Sequence, residues 1–157
     1  MTTVAFKNKI LAADTKAIDD DGQSFRVHKI ETLPNGTVVG CAGDSDNRDI
    51  LTLLGKATLA KMPTKVKLSA TKTEFQGLWV FPTGEVFRVE VEHKNRDGVS
   101  DWTAEILPIL NPEAAVGSGS GYALGAMLAG KSAIEAVKIA CRIDSNSGLP
   151  VESVKIE

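Results

Sequence analysis

The chain has 157 residues, with 18 Lys+Arg against 20 Asp+Glu and 43% hydrophobic content, the profile of one globular domain. Its net charge of −2 gives no electrostatic footprint for a phosphate backbone, and no apolar run approaches the roughly 20 residues that cross a bilayer, so neither nucleic acid nor membrane is an expected partner. The opening MTTVAFKNKILAAD lacks a basic segment followed by a long apolar one, so no secretory signal is expected and the expected location is cytoplasmic.

In chain order, TTVAF and ILAAD are short apolar runs joined by Lys7-Asn8-Lys9, which predicts a β-hairpin. RVHKIETL alternates, and Pro34-Asn35-Gly36 then leads into TVVGCAG, a second hairpin with Asn-Gly as its turn signal. From Asp46, the residues Ile50, Leu51, Leu54, Ala57 and Met62 recur at helical spacing and Pro63 closes the segment. EFQGLWVF and EVFRVEVEH flank Pro82-Thr83-Gly84 as a third hairpin. The stretch from Lys94 to Asn111 carries no pattern that assigns it. AAV runs into Gly117-Ser118-Gly119-Ser120-Gly121, and Tyr122, Leu124, Met127 and Leu128 predict a helix ending at Gly130. Ser132 with Glu135 forms a capping box for the next helix, faced by Ile134, Val137 and Cys141; Gly148 and Pro150 end it, and VESVKI reads as a strand.

Strands in hairpins and helices in a block argue for an α+β chain, residues 1–157 as a single domain, with two antiparallel sheets flanked by helix layers. Cys41 and Cys141 sit in apolar runs and read as reduced, buried thiols. His28 and His93 are far apart, without a Cys partner at finger spacing, so no metal is expected. Gly125 to Ser132 satisfies the P-loop expression literally, but its spacer AMLA consists of strong helix formers. Gly130 therefore reads as a helix end and Ser132 as a helix start. GSGSGYALG resembles a dinucleotide-binding turn but lacks the following strand of a βαβ unit. No nucleotide site is expected from either.

The N-terminus carries a different chemistry. With Met1 removed, Thr2 presents a hydroxyl and a free α-amine on one residue. An unperturbed α-amine titrates near pH 7.7–8, so the neutral form can accept the hydroxyl proton. Together with that threonine, TTVAF…ILAADTKA, RVHKI, CAGDSD, VGSGSGYALGAMLAG and Asp144-Ser-Asn-Ser147-Gly148 resemble, in order and over nearly the whole chain, the N-terminal threonine hydrolases of the proteasome β-subunit type, including the bacterial HslV peptidase.

The resemblance implies a four-layer αββα sandwich and a threonine-type endopeptidase that needs no cofactor. It makes Thr2 the nucleophile, Asp14 the family's aspartate and Lys29, 15 residues beyond it, the essential lysine. Lys16 takes the place of the nearby basic residue, with a substrate-binding role. Gly43 supplies the oxyanion amide, Ser118 is the active-site serine, and Asp144 and Ser147 orient the amine of Thr2. Cys41, on the same strand face as Gly43, is placed at the floor of a specificity pocket, with plain core as its competing reading. Ser45, within the acidic stretch Asp44-Ser45-Asp46-Asn47, is placed at the substrate cleft. The implied partners are polypeptide substrates, further copies in single or double rings of about six or seven subunits, and a separate AAA+ unfoldase. Two alternatives stay open: a noncatalytic ring or scaffold subunit that keeps Met1, and an N-terminal nucleophile amidohydrolase acting on a small amide.

Overall fold

The computed structural model describes residues 2–43, 48–68 and 74–157. The first hairpin is β1 (Val4–Lys7) and β2 (Ile10–Asp14), joined by Asn8 and Lys9 in the left-handed region. The acidic loop that follows is itself a hairpin, β3 (Lys16–Ile18) with β4 (Ser24–Arg26). Next come β5 (Ile30–Thr32) and β6 (Val38–Gly43) around the Asn-Gly turn, then α1 (Arg48–Lys56) and β7 (Lys65–Leu68). The third hairpin is β8 (Phe75–Val80) with β9 (Val86–Arg96), and β9 continues into β10 (Val99–Ile109). β11 (Ala114–Val116), α2 (Ser120–Leu128), α3 (Ala133–Ile143) and β12 (Val151–Lys155) complete the order.

These strands form a smaller sheet in the order β11-β1-β2-β12, a larger one in the order β5-β6-β8-β9-β10-β7, and the separate ribbon β3-β4. All pairings between named strands are antiparallel. Because side chains alternate along a strand, β1 and β2 send Val4, Phe6, Leu11 and Ala13 inward. There they meet Val38, Leu78, Val80 and Val86 of the larger sheet. Their outward positions, Ala5 and Ala12, are small, and α2 and α3 lie on them through Ala123, Met127, Ala136, Val137 and Ala140. On the far side of the larger sheet, Ile50 and Leu54 of α1 pack on Val39, Phe75, Trp79 and Val89.

The expected four-layer αββα sandwich is not what forms. Among the described residues the fold is mostly β, with three helices and sheets of four, six and two antiparallel strands. Two segments account for the difference. The helix anticipated up to Pro63 stops at Lys56: Ala57 and Met62 still pack against the apolar cluster, but from irregular backbone, and Lys65–Leu68 then joins the sheet edge as a strand. The unassigned stretch from Lys94 is strand as well, since β9 and β10 are each 11 residues long and turn at Asp97-Gly98. The outer face of the larger sheet thus receives the nine residues of α1 in place of a helical layer. Among the described residues no helix is long and apolar enough to cross a membrane.

The capping box is present as read. The Ser132 side chain accepts the Glu135 amide and the Glu135 carboxylate accepts the Ser132 amide. The stretch that matches the P-loop expression is therefore the end of α2, the turn at Gly130 (φ 101°) and the start of α3.

Candidate active site

Asp14 closes β2 with no exposed surface, and its carboxylate gathers segments from both ends of the chain. Oδ1 accepts the Thr3 amide at 2.9 Å and the Lys29 ammonium at 3.0 Å. Oδ2 accepts the amides of Lys16 at 3.1 Å and Gly148 at 3.0 Å. A carboxylate removed from water is tolerated when charge and hydrogen bonds replace hydration, and these donors do so.

Lys29 reaches this carboxylate from the extended segment just ahead of β5; RVHKI is not continuous strand, since residues 27–29 lie between β4 and β5. Its Nζ donates to Thr2 Oγ1 at 2.8 Å, to Asp14 Oδ1 at 3.0 Å and to the Lys16 carbonyl at 2.6 Å. Thr2 is 2% exposed and Lys29 9%. Burial pushes the Lys29 pKa below 10.5, opposed by the Coulombic pull and hydrogen bond of Asp14. A hydroxyl this close to a desolvated ammonium is in a field that favours its deprotonated form.

The second cluster surrounds Asp144, the residue capping α3. Its Oδ2 accepts the hydroxyls of Ser118 at 2.6 Å and Ser147 at 2.7 Å, and its Oδ1 accepts the Asn146 amide at 3.2 Å. Partial burial works to raise its pKa, but these hydrogen bonds outweigh it and hold the carboxyl below 3.8. Since Ser147 donates to Asp144, its oxygen is left to accept from Thr3 Oγ1 at 2.7 Å. Ser118 also approaches the Thr2 carbonyl at 3.5 Å. The Gly-Ser-Gly segment fits here through absent side chains: a Cβ on Gly117 would lie 1.9 Å from the Thr2 carbonyl oxygen, and one on Gly119 1.9 Å from Thr3 Oγ1.

The structure thus brings Thr2, Asp14, Lys29, Ser118, Asp144 and Ser147 into one connected network. Gly43 ends β6 opposite Phe75. A cleft of about 460 Å³ beside Thr2 is lined by the preceding Ala42 together with Gln76, Glu90, Gly117 and Ser118. The Lys16 side chain turns away to the Ser145 carbonyl at 2.7 Å. Cys41 packs on the α1 side of the larger sheet, and burial, helped by Glu31, pushes its thiol up to about 12. Met1 and Ser45 lie outside the described residues.

Sequence reasoning passed over three participants. Thr3, the second threonine of TTVAF, supplies the amide held by Asp14 and the hydroxyl held by Ser147. Gln76 accepts the Gly117 amide at 3.3 Å and donates to Glu90 at 3.3 Å, tying the larger sheet to the Gly-Ser-Gly turn. Cys141 on α3 is near enough to the Asp14–Lys29 pair to interact with both charges, and burial first, then Asp14, raises its thiol to about 11. Only the doubled threonine carried any signal in the sequence.

Comparison with known proteins gives a fold and stops there. No family model matches the chain, and no curated protein matches it. Among solved structures it is similar to Thiobacillus denitrificans BPH, with a TM-score of 0.61 and 22% identity over 99% of this chain and 98% of that one. It is also similar to an Anbu mutant from Hyphomicrobium sp. strain MC1, with a TM-score of 0.62 and 14% identity over 100% of this chain and 82% of that one. The assignment to the proteasome β-subunit and HslV peptidases is corrected accordingly: the similarities found are to BPH and Anbu, and at these identities what the chain shares with them is the fold.

Proposed function

We propose that this chain is a threonine-type endopeptidase that hydrolyses peptide bonds in unfolded proteins or peptides, with Thr2 as the N-terminal nucleophile once Met1 is removed. The observation that carries the reading is the buried Lys29 ammonium 2.8 Å from the Thr2 hydroxyl oxygen, braced by Asp14 at 3.0 Å. In this reading Thr2 Oγ1 attacks the substrate carbonyl carbon and its proton passes to the neutral α-amine of Thr2. The charge developing on the carbonyl oxygen is met by the Gly43 amide. The α-ammonium returns that proton to the leaving nitrogen as the C–N bond breaks, leaving an ester on Thr2. Water then attacks the ester, giving its proton to the amine, and the hydroxyl is restored as the acid product departs. Lys29 stays protonated throughout, and Asp144, Ser118 and Ser147 hold the amine's surroundings.

The cleft beside Thr2 supports an extended polypeptide as the substrate. The P-loop-like stretch is helix and turn, so in this reading ATP-driven unfolding belongs to a separate protein. Association with further copies is part of the proposal, supported by Leu128, 68% exposed on α2, and Ile143, 55% exposed on α3. The deciding experiment is intact mass spectrometry with and without a threonine-directed covalent inhibitor. The expected protein is lighter by one methionine and gains one inhibitor at Thr2, and Thr2→Ala abolishes both adduct and peptide turnover. Retention of Met1, or turnover that survives Thr2→Ala, would sink the reading.

A further inference from the structure

We infer that Glu152 is a positioning residue of the Thr2–Lys29 centre, its carboxylate fastening the backbone on both sides of the lysine's α-carbon to the smaller sheet; this rests on the proposed reading of Thr2 and Lys29. Glu152 lies on β12, an edge strand of that sheet, in register with Ala13 and next to the Val151–Asp14 pair. Ala13 points between the sheets, so its cross-strand neighbour Glu152 points there too. Its Oε1 accepts the amides of Lys29 at 2.5 Å and Ile30 at 2.8 Å, and its Oε2 meets His28 Nδ1 at 2.9 Å.

These amides belong to a chain entering β5, which is an edge strand of the larger sheet. Edge amides lack a ladder partner on their outer side, and here one carboxylate replaces that partner. On the inner side the Lys29 carbonyl accepts the Cys41 amide at 2.8 Å. The lysine is therefore held at both backbone ends, while its ammonium is held by Asp14 from the strand neighbouring Glu152. Two carboxylates on adjacent strands clamp the two ends of one side chain. A shift of the backbone here would carry Nζ away from Thr2 Oγ1, and misplacement by about 1 Å at a reacting centre costs on the order of 100-fold in rate.

Glu152 also acts on the charge. The ammonium is faced by Asp14 from β2, by Cys141 from α3 and by Glu152 from β12, besides the Thr2 hydroxyl and the Lys16 carbonyl. Removing the Glu152 charge takes away one influence that keeps Lys29 protonated. The His28 ring is largely solvent-exposed, its side chain 86% so, and adds little to the clamp.

The test compares Glu152→Ala, Glu152→Gln and His28→Ala in the full chain, by peptide turnover across pH and by brief acetic anhydride labelling with peptide mass spectrometry. Glu152→Ala is expected to lower kcat by about tenfold or more with KM within about twofold, and to raise Lys29 acetylation about fivefold over the other lysines. Glu152→Gln keeps an oxygen for the amides, so its plateau kcat is expected within about threefold of wild type, with the alkaline limb moved to lower pH. His28→Ala is expected to match wild type. Wild-type kcat and Lys29 labelling in Glu152→Ala would overturn the inference, as would transfer of the effect to His28→Ala. Should Glu152→Ala label at every lysine because it does not fold, Glu152→Gln decides, and an unmoved alkaline limb overturns the inference. If the wild-type chain shows no Thr2-dependent turnover, the proposed function fails, and Lys29 labelling in Glu152→Ala and Glu152→Gln still decides whether the carboxylate positions the lysine.

Discussion

Lys29 and Asp14 are almost wholly out of water, and a buried pair behaves differently from a surface one. Its formation contributes little net stability, but removing one partner strands the other. Lys29→Met is therefore expected to destabilise the fold by about 3–5 kcal/mol, read by urea melts, and to lower kcat on the order of 10³-fold. Adding Asp14→Asn should recover a large part of the stability and none of the activity. The titrations give a second expectation. Under the proposed function the α-amine of Thr2 must be neutral, which sets an acid limb near the ordinary α-amine pKa of about 7.7–8. The same reading requires Lys29 to be charged, and burial holds its pKa below 10.5, so the alkaline limb is expected below that value. A kcat/KM profile should be a bell between these limits. For stability the sign runs oppositely. Between the lowered folded pKa of Lys29 and 10.5 the unfolded chain binds more protons, so this residue's destabilising contribution is relieved as pH rises through that window.

The resemblance to the threonine hydrolases picked out Thr2, Asp14 and Lys29, because each lies in or beside an apolar run that the resemblance could be laid on. Glu152 left no such trace. In VESVKI it shares a strand face with Val154 and Ile156, which pack between the sheets, and the pattern gives no sign of the two amides that meet its carboxylate when the chain entering β5 approaches from the other sheet.

At the level of elements, the Gly-Ser-Gly turn and α2 contain glycines with opposite expectations. Gly119→Ala would drive a methyl into Thr3 Oγ1, which is fastened to Ser147, so it should both destabilise the protein and displace Thr2. Gly125 sits inside α2 with open space where a Cβ would go, and Gly125→Ala should stabilise by up to about 1 kcal/mol. Thermal melts of the pair check both signs, with a shift of about 2–4 °C per kcal/mol for a chain of this size.

The hairpins around Asn8 and Gly36 were legible because each turn is flanked by apolar runs. The β9–β10 turn carries Asp97-Gly98, a strong hairpin signal, with both residues at positive φ. The pattern does not mark it, because its flanks, Lys94 to Ser100, are exposed and, Val99 apart, not apolar, and offer no alternation of burial. Conversely, Ala57 and Met62 kept a helical spacing without a helix: burial against one apolar cluster constrains where side chains point and leaves the backbone free.

Across the whole molecule, three of the antiparallel hairpins are readable in the sequence and the balance of layers is not, since each is read from local pattern. Whether a polar segment becomes a sheet edge, as Lys65–Leu68 does against β10, depends on a partner 34 or more residues away, Lys67 pairing Thr103 and Leu68 pairing Trp102. The exposed side chains of Leu128 and Ile143 on the α2–α3 face give the prediction for this scale. Light scattering should find more than one copy per particle, and Leu128→Lys should reduce that number while the monomer's circular dichroism is unchanged.

Asp14 receives the amide of Thr3 on one oxygen and that of Gly148 on the other. Segments 145 residues apart in sequence are thereby joined at a single carboxylate. Closing so long a loop costs chain entropy before the contact repays it, so under the proposed function the hydroxyl of Thr2 would become competent only once the two distant segments have docked.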